Sequence, residues 1–296
     1  MKKVLTHIAF AGLTLLSLLP FRLLYALSDV TSALVFHVFD YRKQVVIENL
    51  KKSFPEKSAS ENKLLARKFY RHLCDLLFES FKLKTISPDE LKKRMVVANP
   101  DVVNHYFKEG KSVLVLTMHY NNWEWNAILP QLLKHHCLLV YNPARNLNWD
   151  AYINQMRGRF GGELVPTKRI LKRIMDCEKQ PHATLTWLCA DQRPLQNTHF
   201  WTTFLNQEAG FFPGPEALAR HTNFPVLYQH VEKVKRGHYR MHFELLAENP
   251  ASLPPNETLH RYVRKIESLI QAHPEFYLWS HKRWKHQCPT QNNRHS

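Results

Sequence analysis

The stretch that most constrains this chain spans residues 112–129. Ser112-Val113-Leu114-Val115-Leu116 reads as a buried strand, since an aliphatic run without polar alternation needs cover on both faces. It leads through Thr117-Met118 to His119, and Asn121-Asn122-Trp123-Glu124 then opens a helical stretch that continues to Leu129. A strand that ends near a histidine and turns into a helix belongs to an α/β sheet, where ligands and catalytic groups gather at the carboxyl ends of strands. Glu124 follows His119 by five residues, which on one continuous helix would leave the two side chains roughly 140° apart. They can converge only if His119 precedes the helix and Glu124 lies in its first turn. The same letters also describe a plain helix start, with Asn121 as N-cap, Glu124 as its capping-box partner and His119 a polar strand end.

Further strands are expected at 137–141 and 184–190, and a hairpin over 226–246 around Arg236-Gly237. Helical spacing covers 29–84, with Val45, Val46, Leu50, Leu64, Leu65, Phe69, Leu73, Leu76 and Leu77 recurring every three or four residues as an apolar stripe expected to pack on the sheet. A helix over 149–160 ends at Gly161-Gly162, and Asn256 can cap another over 257–272. Gly210 to Pro215 reads as a turn into a short helix.

The motifs recur in a definite order: IENLKKSFPEKS (47–58), His119 with Glu124, VYNPARN (140–146), MRGRFGGELVP (156–166), ADQRP (190–194), FFPGPEALA (211–219) and YLWSHKRWK (277–285). This series resembles the late, or secondary, acyltransferases of lipid A biosynthesis, the lauroyl and myristoyl type, within the wider lysophospholipid and glycerolipid acyltransferase superfamily. The resemblance covers almost the whole chain. It implies an α/β fold, a mixed central sheet flanked by helices with an N-terminal membrane-associated helix. It also implies O-acyl transfer from an acyl thioester to a hydroxyl of an acylated lipid A precursor, at the cytoplasmic face of the bacterial inner membrane. Carried onto this sequence, His119 and Glu124 are catalytic, Arg157 or Arg159 holds the polar head of a substrate, and Asp191 and Arg193 support the acyl-transfer centre. A lysophospholipid or another glycolipid is the alternative acceptor within the same superfamily. Asn121 stands where the family often has glycine, and asparagine tolerates left-handed angles better than most residues.

The chemistry gives these residues roles. An alcohol is a poor nucleophile, so a base must take its proton as the thioester carbonyl is attacked, and His119 is the candidate. Glu124 would accept the other imidazole N–H, and the oxyanion would need backbone amides or Arg157. No serine or cysteine stands in a nucleophile motif, so direct transfer is expected. No Walker loop or dinucleotide fingerprint occurs, and neither a metal nor a bound cofactor is implied beyond the acyl thioester as co-substrate. Asp191 and Arg193 could instead form a structural ion pair, and arginines in a last helical turn are also favoured by the helix dipole.

Charge points to the partners. With 41 Lys plus Arg against 25 Asp plus Glu, the chain carries a formal +16, which suits anionic lipid, an acidic carrier protein or nucleic acid. Lys168, Arg169, Lys172 and Arg173 form one face of an amphipathic stretch opposite Ile170, Leu171, Ile174 and Met175. That face suits acyl carrier protein as donor, or polyanionic coenzyme A. Tyr277, Trp279 and Trp284 among basic residues suit a membrane interface or stacking on nucleic acid. A non-enzymatic, nucleic-acid-binding reading ranks far below, because it does not account for a strand-end histidine with a nearby acid. The five cysteines show no paired spacing, which fits a reducing, cytoplasmic-side environment. Residues 1–28 begin Met1-Lys2-Lys3 and continue as an apolar run without a cleavage site. They read as an uncleaved anchor, spanning the bilayer or lying in the cytoplasmic leaflet, with a buried core helix as the alternative. Residues 29–296 form the acyltransferase domain.

Overall fold

A computed structural model describes residues 2–196 and 198–288, without the side chains of residues 2–5 and 7. The Met1, Lys2 and Lys3 side chains of the expected anchor, and the last eight positions of the expected domain, lie outside the described residues.

The apolar N-terminal run forms two helices, α1 (Lys2–Leu18) and α2 (Phe21–His37). They part at Leu19-Pro20, since a proline cannot donate to the preceding turn. Among the described residues no helix is long and apolar enough to cross a membrane. A boundary at residue 28 falls inside α2, whose Leu24, Ser28 and Phe36 are buried. Phe10 of α1 stacks on Tyr152 with ring centroids 4.5 Å apart, so both helices lie along the domain. Ile8, Leu15, Leu23, Val30 and Leu34 face outward.

Next come α3 (Lys43–Ser53) and α4 (Ala59–Lys82). The α4 start is set by a capping box between Ser58 and Glu61. Of the expected stripe, Val46, Leu50, Leu65, Phe69 and Leu76 are buried, whereas Leu64 and Leu77 turn outward and are exposed. The remaining order is α5 (Pro88–Arg94), β1 (Met95–Val97), α6 (Pro100–Lys108), β2 (Val113–Thr117), α7 (Leu129–Leu132), β3 (His136–Tyr141), α8 (Leu147–Arg157), β4 (Glu163–Pro166), α9 (Ile170–Cys177) and β5 (Thr184–Cys189). Then follow β6 (Phe200–Phe204), β7 (Gln207–Phe211), α10 (Gly214–Thr222), β8 (Val226–Lys235), β9 (His238–Ala247) and α11 (Glu257–Ala272).

The fold is the expected mixed α/β class. One seven-stranded sheet runs β1-β9-β8-β2-β5-β3-β4, parallel throughout except for the β8–β9 hairpin. Central β2 is buried along its length, as its unbroken aliphatic letters require. Its side chains alternate between two cores: Leu114 and Leu116 join the cluster under α3, α9 and α11, while Val113 and Val115 join the one under α5, α6 and α8.

Three local expectations change. Gly210 lies in β7, part of a separate β6–β7 hairpin, where a Cβ would come within 2.7 Å of the Thr198 methyl. Its Leu205-Asn206 turn has positive φ at both residues, the mirror-image geometry that matches strand twist. A leucine there carries no turn signal. Asn256 makes no side-chain cap on α11; instead the Glu216 carboxylate accepts from the Asn256 amide at 3.1 Å and the Leu259 amide at 3.3 Å. Tyr277 and Trp279 are buried in the main core, which removes them from any stacking surface. Truncating Trp279 would cost about 3–5 kcal/mol as a core cavity.

Candidate active site

Parallel pairing of β2 with β5 builds the centre of the site. The register sets Thr117 against Cys189, and the Ala190 amide donates to the Thr117 carbonyl at 3.1 Å. His119 and Asp191 each follow two residues later and therefore emerge side by side. Asp191 Oδ1 accepts from the His119 backbone N–H at 3.1 Å and from its ring Nδ1 at 2.8 Å. A carboxylate only accepts, so Nδ1 carries a proton, and in the neutral imidazole Nε2 keeps its lone pair. The Gln192 amide donates to that Nε2 at 3.1 Å. Burial of Asp191 works to raise its carboxyl, but the adjacent imidazole and the hydrogen bonds from His119 hold it below the ordinary value of 3.8.

Glu124 does not pair with His119. Asn121 has φ +52°, the left-handed angle its position calls for, and its side-chain Nδ2 donates to the Val231 carbonyl at 2.7 Å. The chain then enters a 3-10 turn, Glu124–Ile128, rather than a capped α-helix. Trp123 packs its ring against the imidazole, centroids 5.2 Å apart, and donates its indole N–H to Glu124 Oε1 at 3.2 Å. Glu124 is thereby aimed at the end of α8, where Arg157 donates through Nε at 2.8 Å and Nη2 at 2.5 Å. Burial opposes the Glu124 charge, yet the guanidinium keeps the carboxyl below its ordinary value. The orienting acid of His119 is Asp191, which the sequence marked only as a supporting residue.

A cavity of about 890 Å³ opens on both pairs. His119, Glu124, Arg157 and Gln192 line it with Leu139 and Trp187, and Lys168 and Arg193 add positive charge. Arg159 lies outside this lining and donates to the Leu83 and Ile86 carbonyls, strapping the α4–α5 connection. Arg193 makes no ion pair with Asp191; its Nη1 reaches the Lys282 carbonyl at 3.4 Å and its amide meets His281 Nε2 at 3.2 Å. Arg169 and Lys172 are exposed, whereas Arg173 is held by Glu163 at 2.5 and 2.9 Å. The opposite face of α9 is less apolar in its setting than expected, since Leu171 and Met175 are 42% and 43% exposed. No cluster of metal-ligating side chains occurs among the described residues.

Sequence reasoning missed Gln192, although it lies inside ADQRP, and Asn122, whose Oδ1 accepts from the Trp125 amide at 3.0 Å. It also missed Glu79, which accepts from Asn122 Nδ2 at 2.7 Å. Glu79 carries no motif signal, because its partners are remote in sequence.

The family match and the related sequences agree on one family. The family described as bacterial lipid A biosynthesis acyltransferase matches residues 1–286. A lipid A biosynthesis palmitoleoyltransferase of Escherichia coli K12 is 24% identical over 273 residues, covering 90% of this chain and 86% of that protein. A lipid A biosynthesis acyltransferase of Shigella flexneri matches with the same identity and coverage, 24% over 273 residues. Among solved structures, the 1-acyl-sn-glycerophosphate acyltransferase of Thermotoga maritima aligns with a TM-score of 0.36 at 15% identity, over 89% of this chain and 95% of that one.

Proposed function

The chain belongs to the bacterial lipid A biosynthesis acyltransferase family and is an O-acyltransferase, and from that premise we propose the substrates, the catalytic groups and the setting. The donor is an acyl thioester on acyl carrier protein, and the acceptor is a hydroxyl of an acylated lipid A precursor. The observation that carries this reading is His119 Nε2, left basic by the 2.8 Å contact between Nδ1 and Asp191, in the same cavity as Arg157.

His119 Nε2 takes the proton of the acceptor hydroxyl as its oxygen attacks the thioester carbonyl carbon. Asp191 stabilises the imidazolium and holds the tautomer, a role worth several orders of magnitude in comparable His–carboxylate pairs. The tetrahedral oxyanion receives N–H donors from Arg157, whose guanidinium Glu124 fixes while leaving other N–H groups unused. Collapse breaks the carbon–sulfur bond, and the departing thiolate takes the proton from Nε2.

Lys168 on the cavity wall, with exposed Arg169 and Lys172 beside it, suits the acidic surface of a carrier protein. The outward apolar residues of α1 and α2 suit helices lying in the interface of a membrane, which supports a site at the cytoplasmic face of the inner membrane.

The test is mass spectrometry of products from purified protein in detergent with mixed acyl carrier protein thioesters, offered a tetra-acylated lipid A precursor or a lysophospholipid. Gain of one acyl group on the precursor, lost by more than about 10³-fold in a folded His119→Ala variant, is expected. Transfer to lysophospholipid alone would overturn the acceptor and keep the mechanism. An active His119→Ala protein would overturn the mechanism.

A further inference from the structure

We infer that Glu79 is a positioning residue for acyl transfer, holding the turn between His119 and Glu124 through Asn122 and tying that turn to α2 through Tyr25. The inference rests on the reading in which His119 and Arg157 carry the reaction.

Glu79 is 1% exposed. Its Oε1 accepts from the Tyr25 hydroxyl at 2.8 Å, and its Oε2 accepts from Asn122 Nδ2 and the Tyr239 hydroxyl, each at 2.7 Å. Its backbone carbonyl accepts the Trp125 indole N–H at 2.9 Å. Asn122 in turn caps the Trp125 amide, so one residue of α4 grips the turn at two points. The nearby cations are engaged elsewhere: Arg236 donates to Asp75 at 2.5 Å and Lys233 lies 3.6 Å from the same carboxylate. A buried carboxylate whose hydrogen-bond partners are all neutral opposes folding unless its geometry is needed. Only a carboxylate at this reach accepts on both oxygens. A glutamine would turn an N–H₂ toward donors at one of them.

The same arrangement makes the turn sensitive to pH. Tyr25 of α2, Asp75 of α4, Lys233 of β8, Tyr239 of β9 and the neutral Asn122 face this acid. Burial pushes Glu79 up to about 7, with the Tyr239 and Tyr25 hydroxyls and Lys233 working against the rise and Asp75 adding to it. Protonation converts one acceptor into a donor and loosens the hold on Asn122, so the turn is held best above about 7.

The experiment compares the full-length wild type with Glu79→Gln and Tyr25→Phe by two readouts between pH 5.5 and 8.5. These are amide hydrogen exchange of residues 119–128, corrected for intrinsic rate, and kcat and KM in the acyl transfer assay. Glu79→Gln should lower kcat at least about tenfold with KM within about twofold, and speed exchange in the turn. Tyr25→Phe removes a donor to the carboxylate, so the acid limb of kcat and the onset of fast exchange should both move up by about one pH unit. None of the recorded contacts of Tyr25 reaches His119, so that movement would come from Glu79. Wild-type exchange in both variants, or a Tyr25→Phe acid limb superposing on wild type, would overturn the inference. If Glu79→Gln fails to fold, Tyr25→Phe and Tyr239→Phe decide the question. If wild type acylates neither acceptor, the functional reading fails, and hydrogen exchange still decides whether Glu79 holds the turn.

Discussion

Two buried carboxylates hold groups that line the same cavity, Asp191 the His119 imidazole and Glu124 the Arg157 guanidinium. Both are held below their ordinary values despite burial, so both are acceptors at neutral pH. Their partners differ in what they can do. An imidazole bound through Nδ1 can take and return a proton at Nε2, whereas a guanidinium keeps its charge throughout and can only donate. In the mechanism proposed above, the first pair moves a proton, and the second presents fixed positive charge where negative charge develops. Acid spacing in the sequence pointed to Glu124 as the partner of the imidazole, whereas Asp191 contacts it, because the spacing of His119 and Glu124 says nothing about which way the turn aims them.

The sharpest test of that division is Asp191→Asn. It preserves size but presents an amide that can favour the other imidazole tautomer, and kcat should fall by about 10³-fold or more with fold retained. If Asp191→Asn stays near wild-type activity while Glu124→Gln is inactive, the roles are reversed. Next in size, Arg157→Lys replaces a planar fork by a point charge and should lower kcat by about 10²-fold. Glu124→Gln should act with Arg157→Lys as one unit, the double variant losing scarcely more than either alone, whereas Asp191→Asn and Arg157→Lys should combine more nearly additively. Similar non-additivity across the two pairs would erase the distinction.

The smallest effect is on stability. Asp191 has a folded carboxyl below the unfolded value of 3.8, so its contribution is present above that value and is lost as pH falls through the folded one. Glu79 has the opposite sign. Its folded value of about 7 lies above the ordinary 4.5, so its favourable contribution is present below 4.5 and is lost as pH rises through about 7. Thermal midpoints measured from pH 3 to 8 should show Asp191→Asn with a shallower acid-side decline than wild type. Parallel curves would remove Asp191 as a source of that slope.

Much of the fold was legible because its signals are local. Aliphatic runs marked β2, β3 and β5, Arg236-Gly237 marked the β8–β9 hairpin, and Gly161-Gly162 marked the end of the α8 region. The apolar run over residues 1–28 was legible as helical, but not its division at Pro20 into α1 and α2 or the packing of both against the domain. The β6–β7 hairpin was not legible, since Leu205 adopts a left-handed angle without a turn-forming side chain. The α11 cap was misread because Asn256 has the right chemistry, while Glu216 approaches from another helix. Within the site, His119, Glu124, Arg157 and Asp191 were all singled out, but not their pairing. The family resemblance offered Arg157 or Arg159 for the substrate head, and the structure turns Arg159 toward the α4–α5 connection.

By itself, then, the amino-acid order determined the strand that delivers His119, the left-handed tolerance of Asn121 and the α/β class, because each depends on side chains within a few residues of one another. The pairing of β2 with β5 decided which acid meets the imidazole, and the close approach of α8 decided where Glu124 points. The fold of α2, α4 and the β8–β9 hairpin around Glu79 decided what holds the turn between them. Hydrogen bonds of 2.7–2.8 Å are set by the positions of whole elements, and those positions follow from burying two cores at once.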